Sequence, residues 1–380
     1  MNRFANPNLI FVVLWGCLIA LQSLEITNNY VRSSPVVLVI IGMNIFLAFF
    51  LQLTMIHHRK VADIRQKYRE LISSRLPSIE RAIKFFLTIY IFISVLDVVY
   101  SGGFPLYWIV SGSEKLYVDF GIPTVHGLAN GIVFFLFTLL VLLDVLGIKR
   151  KRGLLFLLLL WQVCILGRGV IMVMGVQSLC VVMLLSRSGI LSMWKYAILA
   201  IFVIIGFGYF GDLRQTYNPF IPLVNDEWRS FFENIPSGFL WVYIYFTSGY
   251  NNLIFNVDLI NPTYFPYYSL AKLVPSVVYN LLGVTKTLDG FEFVNENLNV
   301  STIYASFYSD FGILAFFPVF FIQGLAVYFY KRAWRGDFFS LLKYSIVFQA
   351  IIFSPFIDTF FYLPFIVQFL FIKYLKYKTG

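Results

Sequence analysis

The chain has 380 residues, 59% of them hydrophobic and only 13% charged, with a mean hydropathy of +0.79. Soluble domains carry about 45–50% apolar and about 25% charged residues, so a water-soluble fold, which would have to hide this much apolar surface, is excluded. Apolar runs long enough to cross a hydrocarbon core of about 30 Å recur without β-barrel alternation, and the +10 net charge lies mostly between them.

In chain order, apolar runs between charged breaks predict ten spans. The first five lie near Leu9–Leu24, Val36–Ile56, Phe85–Tyr100, His126–Gly147 and Leu154–Leu166, and the rest near Val170–Leu185, Tyr196–Phe210, Ile313–Tyr330, Phe338–Phe353 and Phe360–Ile372. Only Arg3 precedes the first run and no small-residue cleavage site precedes Glu25, so this run is expected to remain as a span. Cys17, Cys164 and Cys180 all fall inside apolar runs and read as small core residues.

Lys and Arg are retained in cytoplasmic loops. The segment His57–Lys84 carries eight of them, and further clusters sit at Lys149–Arg152, Arg187 and Lys195, Lys331–Arg335 and Lys373–Lys378. With Arg3, one side of the ten-span arrangement holds 21 of the 29 basic residues, which predicts that both termini are cytoplasmic. The positive charge is thus a topology signal and not a nucleic-acid footprint.

On the outer side, acidic residues dominate and a long loop, residues 211–311, is too long for a connector. Its two apolar, aromatic stretches, Gly238–Phe246 and Tyr267–Leu282, either both cross or neither does, because a single crossing would carry Lys331–Arg335 outside. Lys272 and Pro275 interrupt the second stretch, and both are expected to lie in the interface or re-enter. No repeat or soluble domain is evident, and residues 1–380 read as one membrane domain.

Most soluble-enzyme signatures are missing: there is no P-loop, HExxH, GxSxG or Asp-x-Asp motif. His57 and His58 lack metal-ligand spacing. Gly167-Arg168-Gly169 interrupts an apolar run where the chain turns at the outer face. Arg168 there either snorkels to headgroups or clamps an anion with its planar fork. Arg214, after the seventh span, either pairs with Asp212 or Asp226 or joins the same clamp, and Arg229 lies further out. Asp310 either caps the eighth span or acts in proton transfer, and His126, opening the fourth span, is either structural or a base.

The chain resembles the bacterial oligosaccharide repeat-unit polymerases, the O-antigen or Wzy-type family, over about half its length. The matching pieces are Gly167-Arg168, Gly211-Asp212-Leu213-Arg214, Tyr245–Gly249 with Asn252-Leu253, and Asn299–Thr302 leading into Tyr308–Gly312. The resemblance implies a GT-C-like, all-α polytopic fold in a bacterial plasma membrane. It further implies a glycosyltransferase that joins undecaprenyl-diphosphate-linked repeat units at the outer face into a lipopolysaccharide or capsule polymer. A flippase and a chain-length regulator would be its partners, and no cofactor is expected.

Such a transfer must stabilise a diphosphate leaving group and deprotonate an acceptor hydroxyl. Arg168, Arg214 and Arg229 suit the first task, in place of a metal ion. Asp310, Glu296 and His126 are candidates for the second. Trp241 and Tyr245 offer sugar-stacking rings and Asn252, Asn299 and Tyr308 offer hydrogen bonds, although interfacial anchoring explains such aromatics equally. The competing expectations are a ligase or other lipid-linked glycan transferase, and a transporter of an amphiphilic substrate.

Overall fold

A computed structural model describes residues 5–53, 61–185, 198, 201–202, 204–206, 208–209, 211–212, 218–275, 278, 281, 291–295 and 298–380. Its architecture is helical, and the one β feature among the described residues is an isolated bridge between Thr27 and Val224. The first eight helices are α1 (Pro7–Gln22), α2 (Pro35–Leu53), α3 (Val61–Ser74), α4 (Leu76–Ser101), α5 (Pro105–Ser111), α6 (Val125–Leu146), α7 (Arg152–Cys164) and α8 (Arg168–Leu185). After them come α9 (Asp226–Glu233), α10 (Gly238–Asn256), α11 (Tyr267–Ala271), α12 (Tyr304–Phe311), α13 (Phe316–Trp334), α14 (Phe338–Phe353) and α15 (Leu363–Thr379).

Five stretches are long and apolar enough to cross a membrane: Pro35–Leu53, Leu76–Ser111, Val125–Leu146, Arg168–Leu185 and Tyr304–Trp334. Shorter apolar helices cover Pro7–Gln22, Arg152–Cys164 and Phe338–Phe353. At 1.5 Å per residue a helix the length of α7 spans only about 20 Å, less than a hydrocarbon core of about 30 Å. The predicted run Tyr196–Phe210 falls largely outside the described residues.

The helix α6 is the centre of the bundle, packed against α4, α8 and α15, while α14 joins α8 to α13 and α1 lies against α2 and α13. The outward faces of α2 and α4 expose Phe46, Phe49, Phe50, Leu53, Phe92 and Val99, an apolar surface compatible with lipid.

At one end, α3 runs beneath the bundle. Its Arg65 donates to the Leu185 carbonyl at 3.2 Å, Arg69 to the Leu146 carbonyl, Tyr68 to the Ala333 carbonyl at 2.6 Å and Lys67 to the Arg335 carbonyl at 2.8 Å. These carbonyls close α8, α6 and α13, where the last turn leaves acceptors unpaired and the helix dipole favours cations. Part of the basic segment 57–84 is therefore a set of helix caps as well as a charge signal.

Candidate functional site

The opposite end is organised by α10, which the sequence read as interfacial or re-entrant only over Gly238–Phe246. Its first residue packs closely against the backbone at Ile204: a Cβ on Gly238 would fall 2.0 Å from the Ile204 carbonyl oxygen, so only glycine allows this approach. Further along, a Cβ on Gly249 would fall 2.6 Å from the Pro355 carbonyl oxygen.

Three buried carboxamides on α10 hold the surrounding loops. Asn251 Oδ1 accepts from Gln22 and from the Val31 amide. Asn252 donates to the Leu298 and Val300 carbonyls at 2.8 and 2.7 Å and accepts from the Val294 amide at 2.9 Å. Asn256 donates to the Asn252 and Glu292 carbonyls and accepts from the Glu292 amide. Buried polar groups are costly unless paired, and here the pairing holds residues 292–295 and 298–300, where Asn299 is exposed.

That loop leads into α12, whose Asp310 is fully buried. Asp310 accepts from the Tyr268 amide at 2.7 Å, from the Ser269 amide at 2.8 Å and from the Ser269 hydroxyl. The carboxylate therefore caps the start of α11 in the loop, not the start of its own helix. At the other end of α11, Lys272 donates to Ser306 Oγ at 3.2 Å, and Ser306 donates to Asp358 Oδ2 at 3.3 Å. The Lys272 ammonium lies 3.6 Å from the same carboxylate oxygen. Ser248 Oγ, Ser301 Oγ and Gln349 Oε1, which belong to segments meeting near this cluster, are buried without a hydrogen-bond partner among the described residues.

A second centre joins α4 to α6. Asp97, buried, accepts from the Ile122 amide at 2.9 Å and lies 2.8 Å from Nδ1 of His126, which is 27% exposed. With a carboxylate on Nδ1, a neutral ring carries its proton there and leaves Nε2 as an acceptor. Nearby, Lys115 donates to the Ser101 carbonyl at 2.7 Å and lies over the Trp108 ring.

Arg168 is exposed at the start of α8. Thr138 donates to Gln177 at 3.0 Å, tying α6 and α8 together, and Arg65 and Arg69 meet the ends of both, so the two helices run in the same direction. From that tie, the helical rise puts His126 about 18 Å and Arg168 about 14 Å towards the same end.

Other predicted residues are committed within the chain. Arg229 pairs with the exposed Asp226 at 3.1 Å and donates to the Val224 carbonyl, which is a surface role on α9. Trp241 is 6% exposed, donates to Asp212 at 2.9 Å and stacks on Tyr245 with centroids 5.9 Å apart. Tyr308 donates to the Val257 carbonyl at 3.0 Å. Burial pushes the Tyr243 phenol upward, so that ring stays neutral. Arg214 and Glu296 lie outside the described residues.

Sequence reasoning missed Asp97, Lys272 and Asp358 as site members. Asp97 had a signal, since it closes one predicted span as His126 opens the next at the same face. Among the described residues no group of three His, Cys, Asp or Glu side chains is arranged to hold a metal ion. No protein-family model, no curated protein and no solved structure matches the chain.

Proposed function

We propose that this protein is a plasma-membrane glycosyltransferase that polymerises oligosaccharide repeat units carried on a lipid diphosphate. In this reading the chain crosses the membrane ten times, both termini are cytoplasmic and the loop of residues 211–311 faces outward. The observation that carries it is convergence: the pieces around Gly249–Asn252, Asn299–Thr302 and Tyr308–Asp310 pack together at the end of the bundle towards which His126 and Arg168 also point.

In the reaction, the acceptor hydroxyl oxygen attacks the anomeric carbon of the donor chain. His126 Nε2 takes the hydroxyl proton while Asp97 holds the ring and stabilises the imidazolium. The bond from the anomeric carbon to the diphosphate oxygen breaks, and the electron pair leaves with the lipid diphosphate. Arg168, permanently charged and able to grip two oxygens at once, stabilises that developing charge.

The test is deletion of the gene in its own host and complementation with wild type, Arg168→Lys or His126→Gln, with surface glycan resolved by length. Loss of a general base typically costs about 10²–10⁴ in rate, so single repeats are expected in place of a ladder for His126→Gln. Long chains stranded on the carrier lipid would instead indicate a ligase, and lipid-linked units that never reach the outer face would indicate a transporter.

A further inference from the structure

Three short segments meet beside α13, and each contributes twice. The α11 segment supplies Lys272 to a polar cluster and Leu270 to an apolar groove. From α12 come Ser306 and Phe307, and from the connection between α14 and α15 come Asp358 and Phe361, divided in the same way. Phe311, Phe317 and Phe321 also line the groove, whose volume is about 430 Å³.

We propose that this groove and Lys272 form a binding site for a polyisoprenyl diphosphate, with the hydrocarbon chain along α13 and the diphosphate at the ammonium. The inference rests on the lipid-linked reading above and deepens it. A reaction between two lipid-linked units needs two places for a diphosphate; Arg168 offers one, and this cluster offers the other.

The location selects a lipid. Phe317 and Phe321 are 56% and 58% exposed on Tyr304–Trp334, a stretch long and apolar enough to cross a membrane, so the groove opens where hydrocarbon lies. A water-borne partner does not arrive there. The polar end selects an anion. Asp358 is fully buried behind Lys272, whose side chain is 33% exposed, so the cation is the member presented outward.

The 3.6 Å separation from Asp358 is longer than a hydrogen bond, and Ser306 takes one of three ammonium protons, which leaves donors for phosphate oxygens. The other carboxylate close by, Asp310, is occupied by three donors from α11. Bulk lipid is as apolar as the groove, so transfer of the chain gains little from the hydrophobic effect. Selection therefore falls on the diphosphate contact and on the aromatic fit.

The experiment uses the full-length protein in phosphatidylcholine nanodiscs, with sugar-free undecaprenyl diphosphate as the probe and bound lipid counted by native mass spectrometry. Lys272→Met is expected to weaken binding by about tenfold or more, because a charge-assisted contact is lost, while Lys272→Arg retains most of it. Leu270→Trp, which fills the groove, weakens binding without removing charge. Undecaprenol and phosphatidylglycerol are expected not to displace the probe. Binding unchanged in both Lys272→Met and Leu270→Trp, or equal displacement by phosphatidylglycerol, overturns the proposal. Unfolding midpoints of the variants match wild type if the site alone is altered; a midpoint drop in Lys272→Met that Lys272→Arg restores without restoring binding also overturns it. No polymerisation is read, so the outcomes separate: a ladder that survives gene deletion sinks the polymerase reading and leaves this site standing.

Discussion

At the basic end of the bundle, Arg65 and Arg69 donate to the last carbonyls of α8 and α6. At the loop end, Asn252, Asn256, Asp97 and Asp310 accept from loop amides. Both ends solve the same difficulty, main-chain groups without a ladder partner, with opposite chemistry. The side chain of Arg69 is exposed, so water replaces its contact readily. Asn252 is 1% exposed and its bond to the Leu298 carbonyl is buried, so that partner has no such substitute.

The sharpest break in this comparison is Asn252→Ala. It strands the buried Leu298 carbonyl and the partly buried Val300 carbonyl and Val294 amide, and an unpaired group costs about 1–3 kcal/mol where it is fully buried. A loss of about 3 kcal/mol or more is expected, read as a lowered unfolding midpoint in detergent; an unshifted midpoint would mean that water enters the loop end freely. Asp310→Asn keeps one acceptor oxygen and loses the charge, for an expected loss of about 1–2 kcal/mol with the glycan ladder retained. A missing ladder at an unchanged midpoint would make Asp310 the proton acceptor. The smallest effect belongs to Arg69→Met, expected at about 0.5–1 kcal/mol and shrinking with added salt, as an exposed helix-end charge should. A loss as large as that of Asn252→Ala would erase the distinction between the ends.

The same comparison explains which parts of the molecule could be read in advance. Nine of the ten predicted apolar runs coincide with helices, and the tenth lies largely outside the described residues. The candidate site was legible only in pieces. Asn252 and Trp241, read as glycan contacts, spend their polar atoms on the chain's own backbone and on Asp212. Asp310 has both roles foreseen for it narrowed by its contacts, since it caps a helix some forty positions away in the loop and not its own.

The sequence by itself determined that the chain is a helical membrane protein and roughly where its helices run, because hydrocarbon tolerates only long apolar segments whose backbone bonds are internal. The tertiary structure alone decided the partnerships: Asp97 with His126 across 29 positions, Lys272 with Ser306 across 34 and Ser306 with Asp358 across 52. Each depends on which helix ends are brought side by side, and that follows from packing among many helices, which no local run of residues encodes.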